Sequence, residues 1–148
     1  MPDRRGPRPG PIPRALTFLA FDFGTRRVGV ASGNTLLRRA QALTTVAAEG
    51  PARFAAIDRL VREWQPDALV VGVPLHPDGA AHDNTLRARR FARQLHGRQG
   101  LPVHEVDERY TTTEALSAGA ADADAAAAAI ILEQFLRNLP EDPDEPAA

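Results

Sequence analysis

Carboxylates are the residues of this chain best placed to do chemistry. Asp22 closes the run Leu16-Thr17-Phe18-Leu19-Ala20-Phe21, and Gly24-Thr25 follow it. Asp107-Glu108 end the segment that starts at Pro102, and Asp122 and Asp124 open an alanine-rich stretch. A carboxylate at the end of an apolar strand is costly unless something positive meets it. Asp22 therefore reads as a metal ligand, with a turn Asp capping the Gly24-Thr25 bend as the alternative. Adjacent strand residues point to opposite faces, so Asp107 and Glu108 cannot both aim at one ion from a regular strand. Positions 124, 128, 131 and 135 share one helix face, which turns Asp124 toward the core; helix capping is the alternative for both Asp122 and Asp124. Hard oxygen donors, with no cysteine in the chain and no ligand spacing among its four histidines, select Mg²⁺ or Mn²⁺ over zinc. Paired ions of this kind serve phosphodiester hydrolysis.

The elements that must position these acids follow from the pattern. Six of the seven residues before Asp22 are apolar, as in a central strand covered on both faces. A second strand runs back over Arg26–Val30 and beyond, and Leu37–Val46 supplies a third, completing an antiparallel meander. Gly50-Pro51 opens a helix whose stripe is Phe54, Ile57, Leu60, Val61 and Trp64, and Pro66 stops it. Asp67–Pro74 reads as a buried parallel strand. A helix from Asp83 to Gly97 buries Leu86, Ala88, Phe91, Ala92 and Leu95 and carries arginines at 87, 89, 90 and 93, with Arg98 just beyond it. Pro102–Glu108 is a fifth strand, and helical segments over Thr111–Ala118 and Asp124–Asn138 close the domain. Strands alternating with helices require right-handed parallel crossovers. The expected fold is α/β, a five-stranded mixed sheet of three antiparallel strands followed by parallel ones, with helices on both faces.

Charge separates the ends from the body. Residues 1–14 carry +3 and are rich in Pro and Gly, the tail from Leu139 carries −4, and the 124 residues between are neutral. The reading is a disordered tail over 1–14, one domain over 15–138 and a disordered acidic tail over 139–148. A neutral body excludes a grossly basic nucleic-acid binder, so any such contact comes from local patches. The absence of cysteine suits a reducing cytoplasm, and no apolar run reaches membrane-spanning length.

Leu19-Ala-Phe-Asp-Phe-Gly-Thr-Arg-Arg-Val-Gly-Val-Ala-Ser32 resembles the first motif of the YqgF (also RuvX) family. Val70-Val-Gly-Val-Pro-Leu-His-Pro-Asp-Gly79, Val106-Asp-Glu-Arg-Tyr-Thr-Thr-Thr-Glu-Ala115 and Asp124-Ala-Ala-Ala-Ala-Ala-Ile-Ile-Leu132 resemble its later motifs. The resemblance implies an RNase H-like fold close to the Holliday junction resolvases. It also implies a cytoplasmic nuclease that matures the 5′ end of pre-16S ribosomal RNA and works with ribosomal particles, as monomer or homodimer. Asp22, Glu108 and Asp124 match the family's catalytic acids and hence its metal ligands, which makes Asp107 the second choice beside Glu108. Arg109 and Thr111 become phosphate positioners, with Gly24, Thr25, Arg26 and Arg90 as further substrate contacts. The chain departs from many relatives in one place: Leu116 to Ala123 holds no basic residue where they carry a basic segment. The helix arginines and N-terminal arginines are then the candidates to grip the backbone. Three alternatives stay open at this stage: a DNA junction nuclease, a non-catalytic RNA- or ribosome-binding module, and an Asp-Phe-Gly-Thr phosphate turn of the actin and hexokinase type.

Overall fold

A computed structural model of the chain describes residues 15–74, 82–108, 119 and 121–139. The elements in order are β1 (Thr17–Phe23), β2 (Val28–Asn34), β3 (Ala40–Val46), α1 (Gly50–Trp64), β4 (Ala68–Val73), α2 (Asp83–Gln99), β5 (Val103–Asp107) and α3 (Ala123–Arg137). The sheet order is β3-β2-β1-β4-β5, with β1 central. Strands β1, β2 and β3 pair antiparallel, while β4 lies parallel to both β1 and β5. This is the mixed five-stranded sheet expected. Residues 1–14 and 140–148, the Thr111–Ala118 segment, His76 and Asp78-Gly79 lie outside the described residues.

Alternation along β1 divides its side chains between two cores. Leu19 and Phe21 pack with Ile57 of α1 and Phe91 and Leu95 of α2. Phe18 and Ala20 pack with Ile131, Leu132 and Leu136 of α3. The α3 side of the sheet is paved with small residues: Ala20, Gly29, Ala31, Gly33, Ala68 and Gly72. The alanine-rich helix can therefore settle close to the backbone. A Cβ built on Gly33 would stand 3.0 Å from Leu132 Cδ2, and one on Gly29 would stand 1.8 Å from the carbonyl oxygen of Asp124.

Three local readings change. Leu37 belongs to a turn instead of β3, because the Asn34 side chain accepts from the Leu37 amide at 2.8 Å and Arg38 takes a left-handed φ of 52°; local Asn chemistry outcompetes the apolar run. Leu86 is exposed and Thr85 buried: the Thr85 hydroxyl accepts from the His82 amide and donates to the Pro74 carbonyl, so the capping box sets the phase of α2. Trp64 is 40 % exposed, since α1 ends there and the chain leaves through left-handed Gln65.

The approach of α3 to β2 makes Gly29→Ala costly. It should destabilise the protein by about 3 kcal/mol, as overpacking against backbone does, whereas Gly97→Ala, which meets nothing within 4 Å, should stabilise by about 0.5 kcal/mol. Urea denaturation of the two variants checks the contrast, and equal stabilities would remove the close-packing argument.

Candidate active site

Register places the acids. Asp22 lies opposite Gly29 on β2. On its other side the Phe21–Val71 pairing brings Gly72 of β4 level with it. Asp22 follows Phe18 and Ala20 in alternation and so points to the α3 side. Both neighbours lack a side chain; the backbone of α3 closes on one gap, and Ile131 Cδ1, 2.5 Å from where a Gly72 Cβ would be, shares the other with Glu108. The first turn of α3 rests its Asp124 carbonyl where a Gly29 Cβ would be, and the Glu108 carboxyl carbon and Oε1 stand 3.0 and 3.1 Å from where a Gly72 Cβ would be. Glu108 directly follows the last residue of β5. The Glu108 carboxylate and the first turn of α3, which carries Asp124, thus flank Asp22 at the carboxyl end of the central strand, where open α/β sheets build their sites.

The electrostatics record this convergence. Burial pushes the Asp22 carboxyl up to about 6, and the Asp124 charge adds to the rise. Burial pushes Glu108 up to about 7, with Asp22 and then Asp107 adding repulsion. Asp124 meets a cation, with Arg27 Nε 3.2 Å from its Oδ2. Asp122 resolves the capping question: it is the N-cap of α3 and accepts from the Ala125 amide at 3.0 Å. The Thr45 hydroxyl, followed by that amide, holds Asp122 below the ordinary carboxylate range. Asp124 is thereby spared the capping role. Among the described residues no three His, Asp or Glu side chains stand as a ready-made metal-holding group. The donors are nonetheless all hard oxygens, and the half-buried pair Asp22 and Glu108 sets like charges against each other, a repulsion that a divalent cation relieves.

Gly24, Thr25 and Arg26 form the turn between β1 and β2, with Thr25 and Arg26 exposed. Gly24 is needed there, because a Cβ would stand 2.5 Å from the Arg27 carbonyl oxygen. Arg90 projects from α2 on the opposite side of the sheet, beside Phe23. Asp107 ends β5 and acts on Glu108 through its charge. Arg109 and Thr111 lie outside the described residues. Sequence reasoning missed Arg27, the partner of Asp124. It also missed Arg53, which is only 6 % exposed and donates through Nε to the Ala48 carbonyl and through Nη2 to the Thr25 carbonyl. The signal for Arg27 was its place beside Arg26 after the turn; no local pattern marks Arg53.

Residues 16–138 match a family model described as "RuvX: Holliday junction resolvase". The chain is 73 % identical over 123 residues to a protein of Albidiferax ferrireducens, covering 83 % of this chain and 79 % of that one. It is 68 % identical over 124 residues to one of Polaromonas sp., covering 84 % and 90 %. Both relatives bear the name "Putative pre-16S rRNA nuclease". Among solved structures, Thermus thermophilus RuvC in complex with a Holliday junction substrate superposes with a TM-score of 0.51 at 14 % identity, over 82 % of this chain and 93 % of that one. The yeast mitochondrial Holliday junction resolvase gives 0.50 at 11 %, over 86 % and 80 %. These two are likenesses of fold.

The raised carboxyls have a consequence for stability when divalent cations are withheld. Asp22 and Glu108 hold protons more tightly folded than unfolded, where their values are 3.8 and 4.5. The stability this supplies is full below about pH 4 and is lost as pH rises through about 6 to 7. Asp22→Asn cannot ionise and also relieves Glu108. In EDTA the variant should gain about 2 kcal/mol on the wild type between pH 5 and pH 8. Urea titrations across that range check it, and parallel profiles would exclude buried repulsion at Asp22.

Proposed function

The chain belongs to the RuvX family, and on that premise we propose that it is a divalent-cation-dependent endonuclease whose substrate is the 5′ region of pre-16S ribosomal RNA, cut in the cytoplasm during ribosome assembly. The observation that carries this reading is the burial of Asp22 between two glycines, with Glu108 and Asp124 approaching from either side. The names of the relatives support the choice of RNA. No helix among the described residues is long and apolar enough to cross a membrane.

Asp22, Glu108 and Asp124 are the residues that would hold Mg²⁺ or Mn²⁺, in a site of the two-ion type. Ions bound there supply Lewis acidity at the phosphoryl oxygens and make water a better nucleophile. The protein's own part is positional and electrostatic. Asp22, on the central strand, is the acid common to both flanking interactions. Glu108 holds a proton near neutral pH without a cation and gives it up when positive charge arrives. Arg27 balances Asp124 in the meantime, keeping a third negative charge from adding fully to the repulsion at Asp22. Arg26, Thr25 and Gly24 present an exposed turn beside the acids where a phosphate backbone can lie. Arg109 and Thr111, next after Glu108 in the chain, are proposed as further phosphate contacts.

The test offers a pre-16S RNA 5′ fragment and a four-way DNA junction side by side, since the family description names a junction resolvase. Cleavage of the RNA in Mg²⁺ or Mn²⁺, abolished by EDTA and reduced at least ~100-fold by Asp22→Asn, is the expected outcome. Full cleavage by the Asn variant rejects the site, and cleavage of the junction in preference to the RNA rejects the substrate.

A further inference from the structure

On the sheet face opposite the acids, α1 and α2 part beside the end of β1 and leave a cleft of about 260 Å³. Phe23, Phe54 and Phe91 line it, with Arg53, Arg87 and Arg90 among them. The rings form a platform: Phe23 and Phe54 lie 5.0 and 6.0 Å from Phe91, tilted from it by 38° and 36°. Arg53 is held in the wall by its two backbone carbonyls, its guanidinium 5.5 Å over the Phe23 ring. Gly50 brings the amino end of α1 to the same place; its N-cap residue, Glu49, is exposed and makes no side-chain cap bond, and no acid stands in the first turn. It therefore adds the positive end of a helix dipole to three arginines.

The arginines of α2 are not equivalent. Arg89 pairs with Glu105 at 3.4 Å, and Arg98 lies 4.4 Å over Phe54. Arg87 and Arg90 face the cleft and have no ion pair or hydrogen bond among the described residues. The acid whose charge reaches Arg53 is exposed Glu49. A bare anion has no use for an aromatic floor, and an apolar ligand has none for three guanidiniums. A nucleotide uses both, through ring stacking and phosphate contact.

Phe23 directly follows Asp22, so the two α-carbons are about 3.8 Å apart while their side chains point to opposite faces. A strand with a phosphate at Asp22 need only cross the sheet edge to reach the cleft. We propose that the cleft between α1 and α2 takes an unstacked nucleotide of the substrate strand, its base against the Phe23, Phe54 and Phe91 side chains and its phosphate on Arg87 and Arg90. The identity of that strand rests on the nuclease reading; the site itself does not.

Fluorescence anisotropy of a labelled single-stranded oligoribonucleotide with the full chain in EDTA tests this without any cleavage. Arg87→Ala/Arg90→Ala should raise Kd at least ~10-fold and lower the slope of log Kd against log salt by about 1 to 2. Phe54→Leu, which keeps an apolar filler, should raise Kd about 10-fold with the slope unchanged. Unchanged binding in the double variant overturns the proposal, as does displacement of the oligonucleotide by inorganic sulfate as readily as by a nucleoside monophosphate. A wild type that binds in EDTA but cleaves no diester in Mn²⁺ defeats the nuclease reading and leaves the cleft standing.

Discussion

The structure depends on what is missing on either side of Asp22. A charged group on the central strand of a covered sheet has little room, and a side chain at the same level on β2 or β4 would close what is left. Glycine at 29 and at 72 removes both. One vacancy lets a helix backbone come down beside the carboxylate, and the other lets Glu108 lean inward across β4. The close packing of α3 and the approach of Asp124 to Asp22 are therefore one fact. The small residues that let the helix seat itself also deliver Asp124.

This arrangement keeps like charges near one another in a partly dry setting, which no folding criterion favours. Asp22 and Glu108 both sit well above the ordinary carboxylate range, chiefly through burial. A local rule broken without local compensation is characteristic of functional positions. Arg27 supplies part of the compensation, but to Asp124 and from an exposed turn. Opening that pair would not uncover a buried guanidinium, since the Arg27 side chain is already 65 % exposed. Arg53 differs: it is enclosed, bonded to two carbonyls, and fastens the same turn to the start of α1.

Legibility followed burial. β1 and β4 are apolar on both faces because both faces are covered, and such runs stand out in a sequence. The three acids were visible as carboxylates at the ends of such segments. The phase of α2 was not, because an inward threonine serving a capping box looks polar and Leu86 beside it looks like core. Asp122 and Asp124 could not be told apart by composition; only the bond from the Ala125 amide assigns the cap. The Arg27–Asp124 pair joins residues nearly a hundred positions apart, and a charge partner at that range leaves no local trace. The aromatic cleft was half legible, as arginines on α2, since its floor comes from three separate elements.

Helix α3 is anchored at both extremities. Its amino end rests on Gly29 and is capped by Asp122, while Nη1 of Arg38 donates to the Leu136 and Leu139 carbonyls at 2.7 and 3.0 Å. Fifteen residues of helix span about 22 Å. A rod clamped in this way cannot slide or pivot freely, so the hairpin between β2 and β3 shares control of where an acid two nanometres away comes to rest. Drift in that remote turn would reach Asp124 mechanically, through a shaft and not through space.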